Sequence, residues 1–106
     1  MSKEVAIFAT IQPAPSKADR FKEATKNAMD WIEENEPDTL QFEMYEEESP
    51  EGIKICLFER YASQEAMERH RSSDSYKKFF ETVMAEELIA GPPQISTCKY
   101  VSAIRR

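Results

Sequence analysis

The sequence predicts an α+β fold in which an antiparallel four-stranded sheet carries its helices on one face. Three observations support this prediction. Apolar residues alternate in four short runs, which is typical of strands. Other segments repeat their apolar residues at helical spacing, and serine residues stand before them as candidate caps. The resulting order, β-α-β-β-α-β, is the split β-α-β arrangement.

The first strand and the first helix are separated by two prolines. Between residues 5 and 11 apolar side chains occupy both faces of the strand, and Pro13 and Pro15 end it. Ser16 is the expected N-cap of the following helix, whose first turn contains Asp19. The helix is expected to run for about five turns before residues 36–38 close it. Its apolar stripe comprises Phe21, Ala24, Ala28, Trp31 and Ile32.

The middle of the chain predicts a β-hairpin. A second strand over residues 40–46 places Leu40, Phe42 and Met44 on one side. Residues 49–52, with the sequence Ser-Pro-Glu-Gly, form a turn, and residues 53–61 return as the third strand.

Two further helices and a last strand complete the order. Ser63 is the expected cap of a short helix that carries His70, and residues 72–74 restart the chain as a second helix. We expect residues 91–93, Gly-Pro-Pro, to stop that helix and residues 94–101 to form the last strand. The apolar stripe of the second helix comprises Tyr76, Phe79, Phe80, Val83 and Met84. The complete order is that of a ferredoxin-like fold.

Composition limits the classes of partner. The 106 residues should form a single domain, 1–106, and the net charge of −6 disfavours nucleic acid and anionic membrane surfaces. No apolar run is long enough to span a membrane, and the amino terminus lacks the apolar core of a signal peptide, so we expect a cytoplasmic protein. A small molecule is the expected partner.

The two cysteines indicate neither a metal site nor a catalytic thiol. Cys56 and Cys98 lie far apart and have no neighbouring cysteine or histidine at ligand spacing, so we expect no metal. Both fall in apolar strands, where a reduced cysteine usually packs as a small buried residue. A disulfide between them is the alternative.

The second face of the sheet predicts a dimer. The side chains that point away from the helices include Ala6, Phe8, Cys56 and Phe58. Such an apolar surface on a small domain requires a cover, so we expect a homodimer joined sheet to sheet.

Four segments, taken in chain order, resemble the antibiotic biosynthesis monooxygenase family of the dimeric α+β barrel superfamily. They are EPDTLQFEMY at 36–45, LFERYASQEAMERH at 57–70, SSDSYKKFF at 72–80 and GPPQI at 91–95. One departure is Asp38, which stands where members commonly have glycine. The resemblance implies a dimer through the sheets and a pocket between sheet and helices.

Several activities are implied by this resemblance. Some members oxidise hydroquinones or anthrones with O2 and without metal or flavin, so no cofactor is expected. Others degrade haem or isomerise small metabolites. The haem-degrading members need an Asn, a Trp and a His at positions that hold Ala9, His70 and Phe80 here, and none of the three matches. Function depends on the pocket rather than on the fold.

Three residues are the candidate catalytic groups. His70, the single histidine, can accept and return a proton near neutral pH; the structural alternative is that it caps carbonyls or pairs with Asp74. Tyr61 could orient a ring or an oxyanion, or be a core tyrosine with a satisfied hydroxyl. Glu59, among apolar neighbours, should have a raised pKa and could act as a base, or pair with an arginine.

Five more residues are candidates for substrate binding. Trp31 lies on the apolar stripe of the first helix, and Asn27, one turn earlier, could donate to a substrate carbonyl. The aromatic residues Tyr76, Phe79 and Phe80 could enclose a ring. Ordinary core packing is the alternative for the aromatic residues, and exposure to solvent is the alternative for Asn27.

Three functions follow from these residues. The leading hypothesis is a cofactor-independent monooxygenase acting on a small phenolic, quinol-like or polyketide aromatic molecule. The second is an isomerase, cyclase or decarboxylase that uses the same acid-base groups without oxygen. The third is a non-catalytic dimeric domain that binds a ligand.

Overall fold

The computed structural model describes residues 3–106. Its elements are β1 (Val5–Ile11), α1 (Ala18–Asn35), β2 (Thr39–Ser49), β3 (Gly52–Tyr61), α2 (Gln64–Ser72), α3 (Asp74–Ala85) and β4 (Gln94–Lys99). The four strands form one sheet in the order β2-β3-β1-β4, and every neighbouring pair is antiparallel. The predicted α+β class and the four-stranded antiparallel sheet are confirmed.

The side chains of β1 point alternately to the two faces of the sheet, one covered by the helices and one open. Val5, Ile7, Ala9 and Ile11 are buried, as the period-2 pattern predicts, whereas Phe8 is 49% exposed. The main core cluster joins the covered face of β1 and β3 to side chains of α1 and α3 and to the segment after α3. It comprises Ala9, Ile11, Phe21, Ala24, Ile55, Leu57, Val83 and Leu88.

The predicted cap by Ser63 is confirmed for α2, α3 is capped by Ser73 within the predicted restart at 72–74, and the predicted cap of α1 was wrong. The Ser63 Oγ accepts a hydrogen bond from the Ala66 N–H, and the Ser73 Oγ accepts one from the Tyr76 N–H. Ser16 does not cap α1, because its backbone is left-handed (φ 65°). The N-cap of α1 is Lys17, whose side chain makes no capping bond.

The end of α3 also differs from the prediction. The helix stops at Ala85, well before Gly91, and Glu87 follows with a left-handed φ of 51°. This turn brings the Leu88 N–H to the Val83 carbonyl at 3.0 Å and buries the Leu88 side chain completely. The helix therefore ends at a turn that buries one leucine and not at the Gly-Pro-Pro sequence. The last strand is also shorter than predicted and ends at Lys99.

Several side chains are more exposed than their sequence patterns predict. Leu40 is 41% exposed because the β2–β3 register shifts between Thr39 and Gln41. Met84 is 65% exposed and does not belong to the packed stripe of α3.

Burial of both cysteines was wrongly predicted. Cys56 is only partly buried and Cys98 is exposed, because both point to the open face. The thiols are free, and they pair in register with Thr10 and Ala6 of the intervening β1, so no disulfide joins them within the chain.

The open face of the sheet carries the apolar residues that the sequence assigned to it. The rings of Phe8 and Phe58 stack there with centroids 5.1 Å apart. Among residues 3–106, no helix is long and apolar enough to cross a membrane.

Candidate active site

A cavity of about 100 Å³ lies between the covered face of the sheet and the helices. Most of its wall is apolar, with side chains from β1, β3, α1 and α3. They include Ile7, Ala9, Phe21, Leu57, Phe79 and Val83. The cavity is partly open to solvent, and the polar side chains of its wall include Glu36, Glu59, His70 and Arg71.

His70 is held by a carboxylate from another part of the chain. Its Nδ1 lies 2.8 Å from the Glu36 Oε1, and its side chain is only 6% exposed. Glu36 is the C-cap residue of α1, and its Oε1 also accepts a hydrogen bond from the Thr39 hydroxyl at 2.8 Å. The last turn of α2 supplies His70, whose carbonyl accepts from the N–H and hydroxyl of Ser73. The imidazole pairs with Glu36 rather than with Asp74.

Glu59 and Tyr61 form a second buried polar pair. The Tyr61 hydroxyl donates to the Glu59 Oε1 at 2.5 Å, and both residues are buried. Burial raises the pKa of the Glu59 carboxyl, as its apolar neighbours predicted, and the bond from Tyr61 offsets only part of that rise. Burial and the Glu59 charge raise the pKa of Tyr61. Burial therefore disfavours the charged form of this carboxyl, which lines the cavity.

Aromatic rings surround the imidazole. The centroid of the His70 ring lies 5.4 Å from that of Tyr61, 5.3 Å from that of Tyr76 and 6.2 Å from that of Phe42. Tyr76 in turn contacts Phe80 at 5.1 Å. Tyr76, Phe79 and Phe80, all candidates from the sequence, line the cavity together with His70 and Glu59.

Three other candidates do not line this cavity. Trp31, 39% exposed, and Asn27 line a separate groove on the outer side of α1 and α3. The buried side of α1 is instead formed by Phe21, Ala24, Thr25 and Ile32. Tyr61 is completely buried and reaches the cavity through its bond to Glu59.

Glu36 and Arg71 are the charged groups of the wall that the sequence did not single out. Glu36 was assigned only to the end of the first helix, and Arg71 had no role. The available signal was weak. Glu36 precedes a proline at a helix end and belongs to a segment shared with the family, but no local pattern connects it to a histidine 34 positions later.

This arrangement provides a base and an acid at one side of an apolar chamber. When Glu36 is ionised it accepts from Nδ1–H, which leaves the Nε2 lone pair of a neutral His70 to take a proton. Both side chains are largely withdrawn from solvent, and a hydrogen bond to a carboxylate is stronger there than in bulk water. Glu59, when it is protonated, can donate a proton on the same side.

Comparisons with known proteins agree with this architecture. The family model described as antibiotic biosynthesis monooxygenase matches residues 5–82. A Mycobacterium tuberculosis H37Rv protein named "Putative monooxygenase Rv0793" is 30% identical over 96 residues, which cover 91% of this chain and 90% of that protein.

Solved structures share the fold. A "putative antibiotic biosynthesis monooxygenase" from Caulobacter crescentus CB15 has a TM-score of 0.84 at 26% identity, with 95% of this chain and 92% of that chain covered. The structure of Rv0793 has a TM-score of 0.81 at 24% identity, with 96% and 99% covered, and supports the fold alone. The family resemblance predicted from the four sequence segments is confirmed: this chain belongs to the antibiotic biosynthesis monooxygenase family.

Proposed function

We propose that the protein is a cofactor-independent monooxygenase that oxidises a small phenolic or quinol-like ring with O2. The observation that carries this proposal is the Glu36–His70 pair, with its buried imidazole, at the wall of a mostly apolar cavity. Apolar walls suit a ring, and the oriented imidazole suits removal of its hydroxyl proton. Membership of a monooxygenase family supports the reaction class.

The first step is proton transfer from the phenol hydroxyl to the Nε2 of His70. The phenolate that forms is electron-rich and passes one electron to O2, which gives a phenoxyl radical and superoxide. The positive charge on the imidazole is stabilised by Glu36 at 2.8 Å, so the pair supports the charge separation of this step.

The radical pair then combines at a ring carbon that bears hydrogen, ortho or para to the oxygen, and a C–O bond forms. The peroxide takes a proton from the imidazolium, and the neutral imidazole next removes the C–H proton of that carbon. The O–O bond breaks, a second C=O forms and hydroxide leaves, which takes up the proton as water. The phenol loses four electrons and two hydrogens, and O2 supplies one oxygen atom to the quinone and one to water.

The aromatic wall protects this chemistry. Tyr76, Phe79 and Phe80 close the cavity beside His70. Excluding water strengthens the electrostatic interactions inside and limits the escape of reactive intermediates.

Oxygen consumption by wild-type protein and by His70→Ala tests the proposal. With a panel of hydroquinones, anthrones and simple phenols under air, we expect one O2 consumed per molecule oxidised. Loss of the base should lower the rate by about 10²–10⁴-fold. Glu68→Ala, an exposed change on the same helix, is the control and should keep the wild-type rate. No oxygen uptake across the panel, or an unchanged rate in His70→Ala, contradicts the proposal.

A second candidate function is isomerisation or cyclisation, and the raised pKa of the Glu59 carboxyl favours it. A neutral acid and a base on one wall can move a proton between two positions of a substrate without oxygen. Turnover that persists under strict anaerobiosis selects this function. Binding of panel compounds without any product in mass spectra selects a ligand-binding domain instead.

A further inference from the structure

Arg71 differs from the other arginines of the helices and strands in having no carboxylate partner. Arg20, Arg60 and Arg69 each lie within 2.9 Å of a carboxylate oxygen. Among residues 3–106, no acidic side chain lies within ion-pair distance of Arg71, although acidic residues outnumber basic ones by 20 to 14. A cation left without a partner in an acidic chain is available to an external anion.

The position of Arg71 directs its charge toward the cavity. Its side chain contributes to the wall, yet the residue as a whole is exposed, so it lies where the cavity meets solvent. Burial raises the pKa of Tyr76, and the Arg71 charge offsets part of that rise. The same charge acts in that direction on Glu59 and Tyr61. Ser75 also lines the cavity and carries a hydroxyl group.

The size and charge of the cavity restrict what can bind there. A volume of about 100 Å³ is somewhat below that of an engineered cavity, roughly 150 Å³, that holds benzene. No more than one ring can therefore enter it, and an ionised substituent must stay at the open mouth. Deeper in the wall, the Glu36 carboxylate disfavours an anion.

We propose that Arg71 binds the carboxylate of an aromatic acid whose ring occupies the cavity. This inference rests on the proposed function, because it assigns the same cavity to the substrate. The planar guanidinium suits a carboxylate, which it can bind through two parallel N–H bonds. The substrate class becomes a one-ring aromatic acid rather than a neutral phenol.

The test compares benzoate with benzamide, which has nearly the same shape and no charge. Dissociation constants are measured by two-dimensional NMR titration at low salt. Wild-type protein should bind benzoate about tenfold more tightly than benzamide, as expected for a charge-assisted hydrogen bond at a partly exposed site. Added salt should reduce this ratio.

Two neighbouring arginines provide a matched pair of variants. In Arg71→Gln the ratio should fall to about one, while the affinity for benzamide stays unchanged. Arg69→Gln removes the same charge from the same helix, but Arg69 pairs with Asp38 and does not line the cavity, so the ratio should stay at the wild-type value. Arg71→Lys should retain part of the preference.

Four results overturn the inference. They are equal binding of both probes to wild-type protein, no binding of either probe, a preference that survives in Arg71→Gln, and an equal loss of preference in Arg69→Gln. If Arg71→Gln has a lower melting temperature but the same preference for benzoate over benzamide, Arg71 stabilises the end of α2. This result also overturns the inference. The titrations measure binding and need no oxygen. Their result can therefore be told apart from a failure of the monooxygenase proposal, which is tested by oxygen uptake.

Discussion

Glu36 and His70 are 34 positions apart in the chain, yet their side chains meet at 2.8 Å beside the cavity. Glu36 closes α1 and His70 lies in the last turn of α2, so the contact joins the ends of two helices on the same side of the sheet. The Thr39 hydroxyl, at the start of β2, binds the same Glu36 oxygen. The pair therefore depends on how three elements are placed relative to one another.

Glu36→Ala should destabilise the fold, because it leaves the buried Nδ1 of His70 without its acceptor. We expect a loss of about 1–3 kcal/mol in the free energy of unfolding, measured by urea denaturation. Glu36→Gln keeps an acceptor oxygen and should lose less. Glu34→Ala, an exposed change on the same helix, should stay within about 0.5 kcal/mol of wild type. Equal stability of Glu36→Ala and wild type would show that the pair is not formed in solution.

The stability of Glu59→Gln relative to wild type should be greater at neutral pH than at acid pH. The folded-state pKa of Glu59 is raised above its ordinary value of 4.5, so the folded protein holds this proton more tightly than the unfolded chain. In wild type the contribution of Glu59 to the free energy of unfolding therefore falls as pH rises from 4.5 through the raised pKa. A glutamine does not titrate, so its contribution does not change with pH. The difference in melting temperature, variant minus wild type, should increase between pH 4 and pH 7.

Glu43→Gln provides a control of opposite sign for that pH experiment. Glu43 is only partly buried, and hydrogen bonds from Gln41 and Tyr45 lower its pKa. The small stabilisation from the ionised Glu43 is present above pH 4.5 and is lost as pH falls. The melting temperature of Glu43→Gln minus that of wild type should therefore decrease slightly between pH 4 and pH 7. A flat profile for Glu59→Gln would contradict the buried carboxyl.

Ser63→Ala should cost more stability than Ser16→Ala, although both serines precede a helix. The Ser63 hydroxyl accepts from the Ala66 N–H, and loss of such a cap costs about 1 kcal/mol. Ser16 lies outside the N-cap position of α1. Its replacement should therefore change the free energy of unfolding by less than about 0.5 kcal/mol. If urea denaturation gives the same loss in the free energy of unfolding for both variants, Ser16 does act as a helix cap.

Phe8→Glu should separate the homodimer that the open face predicts. The Phe8 side chain is half exposed and stacks on Phe58, which leaves an apolar surface that a second copy can cover. Light scattering after gel filtration should give about twice the chain mass of 12.3 kDa for wild type and the single mass for the variant. Met84→Glu places the same charge on an exposed apolar residue of the helical layer and should remain dimeric. A monomeric wild type would end the dimer prediction.

The sequence by itself determined the order of the elements, the covered and open faces of β1, and the hairpin between β2 and β3. These features depend on local rules, since strand periodicity, turn residues and serine caps act over a few neighbouring residues. The raised pKa of Glu59 was also accessible, because its alternate neighbours on the strand are apolar.

Only the tertiary structure decided which polar groups meet. The pairing of His70 with Glu36, the exposure of Trp31 and the burial of Leu88 depend on the rotation of helices against the sheet and on the path of loops. A stripe of apolar residues on α1 does not say which edge of the stripe faces inward, so Thr25 is buried where Trp31 was expected. The fold follows from interactions between near neighbours, whereas the site follows from contacts that close only when distant segments pack together.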